Sequence, residues 1–144
     1  MKPIDLKIRL GRKQPTVSIS KIHGQVLAVG YGAGVDSTAM LVLLHQRGIR
    51  PDVITFADTG EEKAATYAYL DTMNDWLARV GFPQITIVRN DATYDSLGAA
   101  MLKRGTLPSI AFGMHSCSLS FKVGPQQTWM NSFEPAAIGW ALGQ

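Results

Sequence analysis

The sequence predicts a doubly wound α/β domain built on a mainly parallel sheet. Three observations predict it: from residue 25 short apolar runs alternate with helical stretches, a glycine-rich turn joins the first run to the first helix, and Gly48, Pro51, Gly60, Gly105 and Pro125 punctuate later changes of element. A chain of 144 residues buries one core and is too short for two. Counting strands from residue 25, the expected order is 3-2-1-4, which puts the loop after the first strand at the switch point of the sheet.

Gln25 to Gly30 (QVLAVG) reads as a buried first strand, and Asp36 to Arg47 as a helix ended by Gly48. Asp52 to Ala57 (DVITFA) is the second strand. After the turn Asp58-Thr59-Gly60 a long helix runs from about Glu62 to Val80, with Ala65, Tyr69, Met73, Trp76 and Val80 at helical spacing on its core face. Gln84 to Val88 is the third strand and Ser96 to Arg104 a shorter helix closed by Gly105. Residues 105 to 124 read as loop, Pro125 as the first position of a helix to Asn131, and Ala136 to Trp140 as a final strand. That strand is followed almost at once by the C-terminus. A parallel sheet ending so lacks its last covering crossover, so the chain reads as a fragment, a truncated product, or a protein completed by a partner or by self-association over the C-terminal strand.

Composition narrows the function classes. With 46% hydrophobic and 17% charged residues the chain is globular and not disordered. No apolar run approaches the ~20 residues that span a bilayer, and no secretory signal is evident, so a soluble cytoplasmic protein without a membrane partner is expected. A single cysteine, Cys117, allows no intrachain disulfide and no zinc site of several thiolates. The net charge of +3 is uneven: residues 1–24 carry Lys2, Lys7, Arg9, Arg12, Lys13 and Lys21 against Asp5. This segment reads as a basic arm or edge hairpin with nucleic acid as one available partner, and residues 25–144 form the domain proper.

The turn Gly32-Ala33-Gly34-Val35-Asp36-Ser37-Thr38 carries the chemistry, because it joins a buried strand to a helix. Glycines there permit positive φ and close ligand approach. The free N–H groups of the helix's first turn and the positive end of its dipole suit phosphate or pyrophosphate, and Ser37 and Thr38 add hydroxyl donors. A Walker-type loop needs Lys where this chain has Asp36, so it is excluded. A dinucleotide fingerprint can start at Gly30-x-Gly32, but its third glycine falls on Val35; Asp58 at the end of the second strand keeps that alternative open.

The same segment resembles the SGGxDS loop of the PP-loop ATP pyrophosphatases, the adenine nucleotide alpha hydrolase-like superfamily that includes phosphoadenylyl-sulfate (PAPS) reductases. Gly34, Asp36 and Ser37 match; Gly32 stands where the family has Ser and Ala33 where it has Gly. Val53 to Gly60 (VITFADTG) is similar to the family's strand and D-T-G turn, and Cys117 to Pro125 (CSLSFKVGP) to its C-C-x-x-R-K-V-x-P segment. The resemblance implies a Rossmann-like fold and attack of an unidentified acceptor on the α-phosphate of ATP or a related adenylyl nucleotide with Mg²⁺, releasing pyrophosphate: a transferase of PAPS-reductase type. Ser118 occupies the second cysteine position, so an iron–sulfur cluster is not expected.

Asp36, Ser37 and Lys122 are thus the candidate catalytic residues. Asp36 orients the loop or reaches Mg²⁺, and Lys122 meets an anionic group. Gly32, Ala33, Gly34, Asp36, Ser37, Thr38, Asp58 and Thr59 form the candidate nucleotide site. Against these stand simpler readings: Asp36 as a helix cap, Asp58 as an Asx turn, and Lys122 as a solvated cation. Cys117 reads as a small buried residue, and His115, His23 and His45 carry no assignable role. The opposing class is a non-catalytic or partner-completed nucleotide-binding module, and a nucleic-acid-modifying PP-loop protein is a third.

Overall fold

A computed structural model of the chain describes residues 7–8, 17–18, 26–90, 96–105, 118–132 and 138–141. Two short strands, β1 (Lys7–Ile8) and β2 (Val17–Ser18), pair antiparallel as a separate two-stranded sheet. The main sheet contains β3 (Val26–Gly30), β4 (Val53–Asp58), β5 (Ile85–Arg89) and β6 (Ile138–Ala141). All its pairings are parallel and the order is β5-β4-β3-β6, which is the order expected from the sequence. Helices α1 (Val35–Gln46), α2 (Ala64–Val80), α3 (Leu97–Arg104) and α4 (Gly124–Asn131) lie between the strands, and a π-helical turn, Ser118–Val123, runs directly into α4.

Strand side chains alternate between the faces of the sheet. On one, Leu27, Val29, Ile54, Phe56 and Ile85 pack with Leu41 of α1 and with Leu70, Met73 and Leu77 of α2. Truncating a fully buried leucine such as Leu41 or Leu77 to alanine would cost about 2–5 kcal/mol in lost transfer energy and cavity. On the other face Thr55 bonds to Gln126 of α4, while Phe121 of the π-helical turn and Met130 of α4 are buried.

Several local expectations shift. The inward stripe of α2 is Leu70, Met73 and Leu77, with Trp76 and Val80 beside it; Ala65 and Tyr69 face solvent. The aliphatic side chains one position on, Leu70 beside Tyr69 and Leu77 beside Trp76, take the centre of the core face. Glu61 and Glu62 precede α2, whose first turn contains no acidic residue. Part of the expected loop from 105 to 124 is helical, because the π-helical turn delivers the chain to Pro125 near the start of α4. Gly48 and Gly105 adopt left-handed backbone just past α1 and α3, as their helix-ending role requires. Among the described residues no helix is long and apolar enough to cross a membrane.

Candidate functional site

β3 ends at Gly30, and Tyr31 turns the chain away with its N–H donated to the Thr55 carbonyl of β4 at 2.7 Å. The next residues form an open turn into α1. Its unusual backbone belongs to Ala33, at φ 55, and not to the glycines on either side. Gly34 is extended (φ −97, ψ 172), and a Cβ at Gly32 or Gly34 would meet nothing within 4 Å. The expectation that these glycines supply positive φ is therefore corrected. Ala33 carries the left-handed conformation, at a cost of about 1–2 kcal/mol for an L-residue, and its methyl packs against the core cluster.

Gly34 is the N-cap of α1, and no side chain caps this helix. Asp36 does not cap; it sits exposed in the first turn, where its charge favours the helix dipole. The Ser37 hydroxyl donates back to the Gly34 carbonyl at 3.1 Å, and the Thr38 N–H donates to the same oxygen at 3.0 Å. The Thr38 and Tyr31 hydroxyls lie 3.1 Å apart. Burial, only partly offset by this hydrogen bond to Thr38, raises the Tyr31 pKa above 10.0 and keeps the hydroxyl neutral. Among the described residues no side chain caps the first turn of α1, which follows the C-terminal end of β3.

At the neighbouring end of β4, Asp58 and Thr59 are buried. Asp58 accepts from the Tyr67 hydroxyl at 2.7 Å, from Gly60 N–H at 2.8 Å and from the Arg89 guanidinium at 2.5 Å. Burial pushes the Asp58 pKa up, but these three donors outweigh it and hold the carboxyl below its ordinary 3.8. The same hydrogen bond, together with burial, raises the pKa of Tyr67. This is the Asx-turn geometry with an ion pair added. Thr59 donates its hydroxyl to Glu62 at 3.3 Å, and its carbonyl accepts from Leu97 N–H at 3.0 Å, docking α3. Both side chains are engaged within the protein.

Lys122, read from the sequence as meeting an anionic group or as a solvated cation, lies near a carboxylate of the protein itself. Its Nζ lies 3.9 Å from Glu62 Oε1, and its side chain remains 55% exposed, so the pair is loose. Glu62 thereby joins the D-T-G turn to the π-helical turn. Glu61 accepts from Ser96 Oγ at 2.9 Å over the start of α3, where a Cβ on Gly98 would collide with its carboxylate.

The chain matches no known family model and no characterised protein. The local geometry is therefore the ground for a functional reading. The structure brings two groups to one edge of the sheet: Gly32 to Thr38 after β3, and Asp58, Thr59, Glu62 and Lys122 at the end of β4. Cys117 and His115 lie outside the described residues. Sequence reasoning missed Tyr31, Tyr67, Arg89 and Gln126 as partners of the candidate residues. Only the parallel register that sets Asp58 opposite Arg89 could have signalled that pair. A depression of about 430 Å³ between α2 and the edge strand β5 is lined by Tyr67, Leu70, Asn74, Ile85 and Ile87, and by none of the predicted site residues. Among the described residues no three His, Cys, Asp or Glu side chains gather to hold a metal.

Proposed function

We propose that this chain is a doubly wound, Rossmann-like PP-loop domain that binds ATP or a related adenylyl nucleotide and supports transfer chemistry at the α-phosphate. The uncapped N-terminus of α1, opening where β3 ends in a parallel sheet, carries this reading. In it, the first-turn N–H groups from Val35 to Ser37 donate to phosphate oxygens, and the Ser37 hydroxyl exchanges its bond to Gly34 for one to the ligand. Asp36 would hold Mg²⁺ when it is bound, and the ion would supply charge neutralisation for a departing pyrophosphate. Lys122, released from Glu62, adds a positive charge. An acceptor attacks the α-phosphorus, the bridging P–O bond to the β-phosphate breaks, and the acceptor's proton passes to solvent.

A non-catalytic nucleotide-binding module is the second reading. It is favoured by the engagement of Asp58, which already accepts three donors and offers no free base. ATP with Mg²⁺ is expected to raise the melting temperature by mass action, and Ser37→Ala to diminish the rise. An unchanged melting temperature in millimolar ATP, AMP and PAPS would exclude both readings. Pyrophosphate release with candidate acceptors separates them, since only the enzyme produces it.

A further inference from the structure

Gln126, in the first turn of α4, reaches the sheet and the π-helical turn at once. Its Oε1 accepts from the buried Thr55 hydroxyl at 2.6 Å, and its Nε2 donates to the Lys122 carbonyl at 2.9 Å. Room for the amide comes from Gly30, the register partner of Thr55: a Cβ there would stand 3.0 Å from Oε1. The turn is held at two further points, by Asn90 Nδ2 donating to the Ser120 carbonyl at 3.0 Å and by burial of Phe121. The Gln126 amide adds a tie of its own, joining the Lys122 carbonyl to Thr55 in the middle of β4.

We propose that Gln126 is a positioning residue for anion recognition, acting through the Lys122 carbonyl to keep the ammonium group beside the nucleotide phosphates. This rests on the phosphate-site reading of the preceding section. Satisfying the buried Thr55 hydroxyl does not require the second amide bond to the residue that bears the charge. If Gln126 acts on Lys122, its loss weakens ligands in proportion to their anionic charge; if it only packs, its loss lowers stability without altering the choice between ligands.

The test is calorimetric titration of the full chain with Mg-ATP and with AMP for wild type, Lys122→Ala, Gln126→Leu and the double variant. Lys122→Ala is expected to weaken ATP about tenfold relative to AMP, the size of one charge-assisted contact. Gln126→Leu is expected to weaken ATP relative to AMP at least about threefold, and to add nothing in the Lys122→Ala background, because coupled residues are not additive. Gln126→Leu strands the Thr55 hydroxyl, so Thr55→Val/Gln126→Leu is measured alongside; removing both partners restores stability while leaving the Lys122 carbonyl unheld. Gly30→Ala, which displaces the amide by its added methyl, should reproduce the selective loss. An undiminished effect of Gln126→Leu in the Lys122→Ala background, equal losses for both nucleotides, or no loss would overturn the proposal. If wild type binds neither nucleotide, the phosphate-site reading itself fails and this inference with it.

Discussion

Asp58 separates a structural carboxylate from a nucleotide ligand, and substitution measures the difference. Its Oδ1 accepts from Tyr67 and Gly60 and its Oδ2 from Arg89. Hydrogen bonds to a charged group contribute about 1.5–3 kcal/mol each, but the Arg89 side chain is 44% exposed and rehydrates when released, so its share is discounted. Asp58→Ala is therefore expected to cost about 3 kcal/mol. Asp58→Asn retains an acceptor for Tyr67 and Gly60 and should cost only about 1–1.5 kcal/mol. Urea denaturation of the three proteins reads these differences directly, with unchanged m-values showing that only the folded state is affected. The pH dependence follows from the lowered Asp58 pKa. The carboxylate's contribution is fully present above the unfolded-state value near 3.8 and is lost as pH falls through the lower folded-state value. The gap between wild type and Asp58→Asn should thus stay constant above about pH 5 and close below pH 4. ATP affinity of Asp58→Asn should match wild type. Lost ATP binding in an Asp58→Asn protein of undiminished stability would refute the structural assignment and return Asp58 to the nucleotide site.

Ala33→Val should destabilise by about 2 kcal/mol, because a β-branched residue is forced to φ 55, while Gly34→Val should cost only about 1 kcal/mol, the loss of a favourable N-cap residue in extended backbone and open space. Chemical denaturation of the pair decides it, and the reverse ranking would move the strained position off Ala33. Gly124→Ala should lower stability by about 1–3 kcal/mol despite alanine's better helix propensity, since its Cβ would lie 2.9 Å from the Leu119 carbonyl oxygen across the π-helical turn. A higher melting temperature for Gly124→Ala would mean that this turn relaxes without cost.

Much of the fold was legible because its signals are local. Short apolar runs such as VLAVG and VITFA, bounded by Gly30 and Pro51, favour buried strands of a covered sheet, and Gly48 and Gly105 lie just past their helices in left-handed backbone. The stripe on α2 was misread because Leu70 and Leu77 compete with Tyr69 for one face, and only contact with the sheet decides which face turns inward. The π-helical turn was missed because one of its supports is a distant partner, Asn90, whose amide reaches the Ser120 carbonyl, and not a propensity of Ser118 to Val123.

By itself the sequence determined the strand–helix alternation, the position of an open helix N-terminus after the first strand, and the residue types presented there. Those follow from near-neighbour sterics and apolar periodicity. Only tertiary structure decided how the polar residues at that edge are used. Parallel register set Asp58 against Arg89 and engaged it, the approach of α4 to β4 joined Thr55 to Gln126, and positive φ falls on Ala33 and not on the glycines beside it. The first two are contacts between segments far apart in the chain, and their energies depend on distances that no local pattern encodes.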